Sequence, residues 1–204
     1  MRRFSLYLVV TTLCLLAVAG ESAAKTHGRT PGYTLVENAP GDATLVSPGY
    51  GSTTAVQLTS TGSDWGAIGF TVAKGLKLRD VNTLSTDYEF LVGSCWGGSP
   101  RFTVGVSNGT TNETYFYIGT APSWTGCALG LWANTGNLAS PASPVDDSQL
   151  PGGSPSDTYA RAQAKYGSYN VEYIAIDLDG GWDGAQSAEF DNTRVNSTLY
   201  TYEP

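Results

Sequence analysis

Histidine is almost missing from this chain: among 204 residues there is one, His27. A Ser-His-Asp or Cys-His arrangement needs a base within hydrogen-bond reach of its nucleophile. His27 lies in the N-terminal lead-in, two residues past the expected mature start, and would have to fold back onto a nucleophile, so hydrolysis of that kind is not expected. Zinc and most transition-metal sites draw on histidine or thiolate. The same count therefore excludes them, together with copper oxygenases built on two histidines. Charge is sparse as well. Only 14% of residues are charged, and the formal net charge is −7. A net acidic domain repels phosphate backbones, so nucleic acid is not an expected partner. No phosphate-cradling loop appears either, since Gly180-Gly-Trp-Asp-Gly184 lacks the lysine and the following helix.

Long apolar runs are confined to the N-terminus. Met1-Arg-Arg-Phe-Ser is followed by an apolar stretch from Leu6 to Ala19 and then Ser22-Ala-Ala24. A positive start, an apolar middle and small residues at the cut read as a secretory signal peptide over residues 1–24. The stretch is too short for a membrane span of about 20 residues, so no span is expected in the mature chain. Cys14 follows Leu13, where a lipoprotein signal would place a small residue, so lipid attachment is not expected. Loss of Arg2, Arg3 and Glu21 takes the formal charge from −7 to −8. The expected product is extracellular, with a disordered lead-in over 25–32 and a single domain over 33–204, long enough to bury its own core. Two mature cysteines remain, Cys95 and Cys127. In an oxidising compartment they are expected to pair.

What the sequence has in quantity is short alternating segments punctuated by Gly, Pro, Asn and Asp. Phe102, Val104 and Val106 share one face of a strand, with Arg101, Thr103, Gly105 and Ser107 opposite. Asn108-Gly109 marks a tight hairpin leading to Tyr115–Ile118. Pro141 through Pro155 reads as a long surface loop, and Asp157–Lys165 as one short capped helix with Gly167 just beyond. Nine or ten strands with no βα alternation predict an all-β, two-sheet antiparallel sandwich.

The acidic focus lies near the end. In Val171–Asp179, Ile174, Ile176 and Leu178 fall on one face, while Tyr173, Ala175, Asp177 and Asp179 fall on the other. Three aspartates, Asp177, Asp179 and Asp183, surround a glycine turn. Hard cations take six to eight oxygens from such groups, so calcium is one reading. The other is that Asp and Gly gather in turns for their dihedrals. Paired acids would suit glycoside hydrolysis, and Glu89, Glu172 and Glu189 are the strand carboxylates available. Their alternative role is as solvent-facing positions.

Aromatics are the third feature: five tryptophans and twelve tyrosines. Trp96, Trp124, Trp132 and Trp182 lie in Gly-, Ser- or Pro-rich segments outside the alternating strands. An indole face stacks on the C–H face of a sugar ring, while neighbouring Asp, Asn and Gln accept or donate to its hydroxyls. The competing role is packing the ends of the sandwich.

Ala188-Glu-Phe-Asp-Asn-Thr-Arg-Val195 resembles the last core strand of jelly-roll carbohydrate-binding modules, with Phe190, Asp191, Asn192 and Val195 matching and Thr193 departing. The chain is also similar to secreted bacterial β-sandwich proteins of unassigned function, from Cys95-Trp-Gly-Gly-Ser-Pro-Arg-Phe102 to Val195-Asn196. The first resemblance implies a jelly-roll fold and a structural calcium, carried over to Asp191 only; further oxygens are expected near the first strand, where Glu37 is the candidate ligand, and no cofactor is otherwise required. The resulting expectation is a secreted binding module with glycan or cell-wall polysaccharide as the favoured ligand. Its ligand-contacting set is Trp182, Trp96, Trp124, Trp132, Asp177, Asp179 and Asp183. The alternatives are a glycoside-active enzyme using paired carboxylates, or a cell-surface or matrix structural domain.

Overall fold

The computed structural model describes residues 25–30, 32–179 and 184–204. Residues 1–24, 31 and 180–183, among them the expected signal peptide, lie outside them. Two antiparallel sheets face each other across one apolar core, as the alternation requires. The first has the order β1 (Lys25–Thr30), β2 (Tyr33–Glu37), β5 (Trp65–Phe70), β12 (Asn170–Asp179), β7 (Arg101–Ser107) and β8 (Thr111–Tyr117). The second runs β3 (Ala43–Val46), β4 (Ala55–Ser60), β13 (Gln186–Val195), β6 (Leu84–Val92) and β9 (Ala133–Asn134), and β14 (Thr198–Tyr200) also pairs with β13. The all-β sandwich expected from the sequence is the fold observed.

The core is the sum of the inward positions. Ile68 from β5, Phe102 and Val104 from β7, Phe116 from β8 and Ile174, Ile176 and Leu178 from β12 meet Val56, Leu58, Phe90 and Phe190 of the opposite sheet, all fully buried. Each such side chain contributes about 1.5–3 kcal/mol by leaving water. Truncation of a central ring such as Phe102 to alanine would cost about 3–5 kcal/mol, because the cavity cannot close.

Three sequence expectations change. Lys25–Thr30, read as a disordered lead-in, is an edge strand paired with β2 in antiparallel register. A polar edge strand is held by ladder hydrogen bonds, which hydrophobic patterning does not report. The stretch from Pro141 to Pro155 is no free surface loop. It carries β10 (Pro144–Val145), paired with β11 (Asp157–Thr158), and buries Val145, Asp147 and Leu150. The helix α1 spans Tyr159–Tyr166 and is capped by Thr158, whose hydroxyl accepts from the Arg161 N–H, and not by Asp157. Asp157 instead pairs with Lys165 at 2.7 Å and with Arg161 at 3.0 Å.

Candidate functional site

Side chains on the outer face of the first sheet line up in rows across its strands. One row runs Val36–Ala67–Asp177–Arg101–Tyr117 from β2 to β8, each member directly opposite the next. Beside it runs Thr34–Gly69–Ala175–Thr103–Tyr115, and then Tyr173–Gly105–Glu113. Alanine and glycine occupy the middle of the face, and larger side chains stand around them. A groove of about 370 Å³ results, lined by Val36, Trp65, Ala67, Tyr173, Asp177 and Glu113 among others.

One wall of that groove depends on a glycine. A Cβ on Gly105 would fall 2.2 Å from a Tyr173 ring carbon, so only glycine lets the ring lie across β7. Lying there, the Tyr173 hydroxyl donates to Glu113 Oε1 on β8, and Tyr115 donates to the other oxygen, Oε2. Burial, reinforced by the Glu113 hydrogen bonds, raises the pKa of both tyrosines, so both stay protonated donors. Gln149 donates in turn to the Tyr115 hydroxyl. Asp177 lies half-buried on the floor. Burial pushes its carboxyl up to about 6, with Glu113 and Asp179 adding to the rise and Thr103 and Arg101 opposing it. The Arg101 guanidinium donates to Asp179 Oδ2 at 2.7 Å and to the Gly98 carbonyl at 3.0 Å, and lies 5.1 Å over the Tyr115 ring.

At the β8 end of the same face a second depression, about 390 Å³, is lined by Trp96, Gly97, Tyr117, Pro122, Ser123, Trp124, Asp146 and Pro155. Trp96 and Trp124 belong to two loops that the Cys95–Cys127 disulfide joins. Trp96 is held in a tight turn, where its N–H donates to the Ser99 carbonyl and Ser99 N–H to its own. Trp124 takes a left-handed backbone, φ 55°, unusual for a bulky residue, inside a turn closed by Thr120 and Thr125. Its ring is tilted against Tyr117 at 4.9 Å. The Tyr117 hydroxyl donates to Asp146 Oδ2 at 2.6 Å, and burial together with that bond raises its pKa. Trp96 keeps 46% of its surface exposed, an indole face open to solvent at the mouth of the depression.

The expected ligand set is thus divided. Trp96 and Trp124 come together, with Asp177 and Asp179 on the same face. Trp132 immediately precedes β9 of the other sheet and stacks on Tyr50 at 5.0 Å and 16°. Trp182 and Asp183 lie outside the described residues. Tyr117, Tyr115, Tyr173, Trp65, Arg101 and Glu113 were not singled out as site residues. Glu113, Tyr115 and Tyr117 carry a signal, an aromatic or charged residue at every second position of β8 on its outward face; Trp65, Arg101 and Tyr173 carry only an outward position among small or polar neighbours.

The two residues expected to share calcium lie on different sheets. Glu37, on β2, points inward and accepts from the Gly41 N–H at 3.0 Å. Asp191, on β13, is fully buried and accepts from the Tyr50 N–H at 2.8 Å, the Ser52 hydroxyl and the Asn192 N–H. Burial raises its pKa, and these three donors oppose the rise. Among the described residues no group of three or more His, Cys, Asp or Glu is placed to hold a metal ion.

Of the strand carboxylates, Glu172 is exposed, whereas Glu89 and Glu189 face each other across β6 and β13 on the outer side of the second sheet. Burial and the Glu89 charge raise the Glu189 pKa. No helix among the described residues is long and apolar enough to cross a membrane.

No family model matches this chain, and no curated protein matches it. Among solved structures, the xyloglucanase domain of NopAA, a type three effector from Sinorhizobium fredii solved in complex with cellobiose, is similar over 89% of this chain and 100% of that one, at 11% identity and a TM-score of 0.40. A likeness that distant assigns no function.

Proposed function

We propose that this chain is a secreted binding module that takes a glycan on the outer face of its first sheet, with Trp96, Trp124 and Tyr117 as the stacking platform. One observation carries the reading. Two tryptophans 28 positions apart in the sequence are clamped by a disulfide around an open depression that also holds a carboxylate, Asp146. An apolar ring face beside fixed hydrogen-bonding groups is what a sugar offers a match to, since its rings carry C–H faces and a rim of hydroxyls. Aromatic residues serve this use at low entropic cost, having two rotatable bonds each. A glycan array probed with wild type and Trp96→Ala tests it. Retention by wild type and loss in the variant, at an unchanged melting midpoint, is the expected outcome. Absence of any retained glycan would remove the reading and leave a structural domain.

A second reading is favoured by the Glu89–Glu189 pair. Directly opposed residues in an antiparallel sheet hold their Cβ atoms about 5 Å apart, which puts their two carboxyls in reach of one another, as paired-carboxylate glycosidases require. Release of reducing ends from a polysaccharide, abolished by Glu89→Gln and by Glu189→Gln, would establish it.

A further inference from the structure

We infer that the Trp65–Tyr173 groove is a second sugar-binding position in line with the Trp96–Trp124 depression, so that the ligand is a linear oligosaccharide chain lying across the strands. The inference rests on the glycan reading above and extends it to the substrate's length and direction. The two depressions are ends of one track. The row Ala67–Asp177–Arg101–Tyr117 joins them without leaving the outer face. It crosses three strand spacings, about 14 Å at 4.7–4.9 Å each, and the Trp124 ring lies 4.9 Å from that of Tyr117 at its end. That length exceeds a single sugar ring and fits several in sequence.

The chemistry along the track repeats at its two ends. Each end offers aromatic side chains and a carboxylate: Trp65 and Tyr173 with Asp177 and Glu113 in the groove, Trp96, Trp124 and Tyr117 with Asp146 in the depression. Between them lie the Arg101 guanidinium, 5.1 Å over the Tyr115 ring, and that ring itself. The groove floor of Ala67, Gly69 and Ala175 is low enough for a ring to settle between the walls. The glycine among them is not demanded by the fold. A Cβ added to Gly69 would meet nothing closer than the Thr34 carbonyl at 3.8 Å, an ordinary contact, and its backbone is not left-handed. The sheet itself would accept a larger side chain at that position, so the space above Gly69 serves something outside the fold. A cluster of acids alone would predict attraction to cations. Here the acids sit beside aromatic walls and apolar floor, a combination that matches polyhydroxylated rings.

The test is a length series by calorimetry, with cello-, xylo-, manno- and galacto-oligosaccharides of two to six units as probes, on wild type, Trp65→Ala and Gly69→Val. Wild type is expected to bind the longest chain of one series at least tenfold more tightly than its disaccharide. Gly69→Val fills the groove with a residue that suits a strand, so its melting midpoint should hold while the gain with length disappears. Trp65→Ala should likewise lose the gain with length. Affinity that does not grow with length, or growth that survives in both variants, would overturn the second position while leaving the first intact. Absence of binding in all four series would overturn both readings.

Discussion

Asp177 faces Arg101 directly across β12 and β7, yet the guanidinium bonds Asp179, two residues further along the same strand, at 2.7 Å. The arginine therefore serves two carboxylates unequally. Asp179 takes the bond, while Asp177 feels only the charge and stays on an apolar floor where burial dominates, pushing it up to about 6 from 3.8.

A pH dependence follows from that shift. A carboxyl whose pKa is higher in the folded than in the unfolded state contributes stability that is fully present below the unfolded value, about 3.8, and is lost as pH rises through about 6. Asp177→Asn removes the loss. Its melting midpoint is expected to exceed that of wild type at pH 8 and to match it near pH 3.5. Melting both proteins at the two pH values checks this; a variant less stable than wild type at pH 8 would show that ionised Asp177 is well satisfied.

The disulfide should matter more to ligand than to fold. Cys95 and Cys127 lie outside the strands and close a loop of 32 residues, worth roughly 3–4 kcal/mol in the chain-entropy model. Cys95→Ser together with Cys127→Ser is expected to lower the midpoint, retain the β-sheet circular dichroism signal and lose glycan retention, because Trp96 and Trp124 are no longer held together. Retention at wild-type strength would separate the depression from the crosslink.

Trp124 offers a sharper separation of packing from binding. Its φ of 55° costs a bulky L-residue about 1–2 kcal/mol, which glycine does not incur. Trp124→Gly is therefore expected to lose glycan retention with little fall in midpoint, relief of strain offsetting the lost contact with Tyr117. A fall comparable to that of a core truncation would mean that the indole is structural.

Asp191 is expected to act through protein donors. Asp191→Ala strands the Tyr50 and Asn192 N–H groups and the Ser52 hydroxyl, at about 1–3 kcal/mol for each left buried without a partner. Calcium would have to displace these donors, so wild-type midpoints in chelator and in millimolar calcium should coincide. A rise of several degrees in calcium would assign a bound ion here.

Of the three sequons, at Asn108, Asn112 and Asn196, one is closed by the fold. Asn196 Oδ1 accepts from the Asn82 and Thr83 N–H groups, and its Nδ2 donates to the Asp80 carbonyl at 3.1 Å. In a host that glycosylates, peptide mass mapping is expected to find sugar at the β7–β8 hairpin and none at Asn196. Full occupancy at Asn196 would require that its amide bond to Asp80 is readily given up.

Much of the fold was legible in the amino-acid sequence because period-two alternation is a local signal. Phe102, Val104 and Val106 announce their strand face without knowledge of any partner, and two cysteines in an oxidising context announce their bond. That bond carries a further consequence: Trp96 adjoins Cys95 and Trp124 lies three residues before Cys127, so the crosslink alone places both indoles in one neighbourhood. The polar strand β1 and the packed stretch from Pro141 to Pro155 are not legible there, because ladder hydrogen bonds and long-range burial leave no pattern in the chain itself.

What the sequence determined by itself is therefore the inventory: a histidine-poor, acidic, aromatic-rich β-sandwich with one disulfide, and which residues of each strand face outward. Only the tertiary structure decided which outward faces meet. Strand order and register are set by burial summed over both sheets, and no local rule reports them. They put Asp177 and Tyr117 in one row, set Trp132 beside the opposite sheet, brought Glu89 to face Glu189, and parted Glu37 from Asp191.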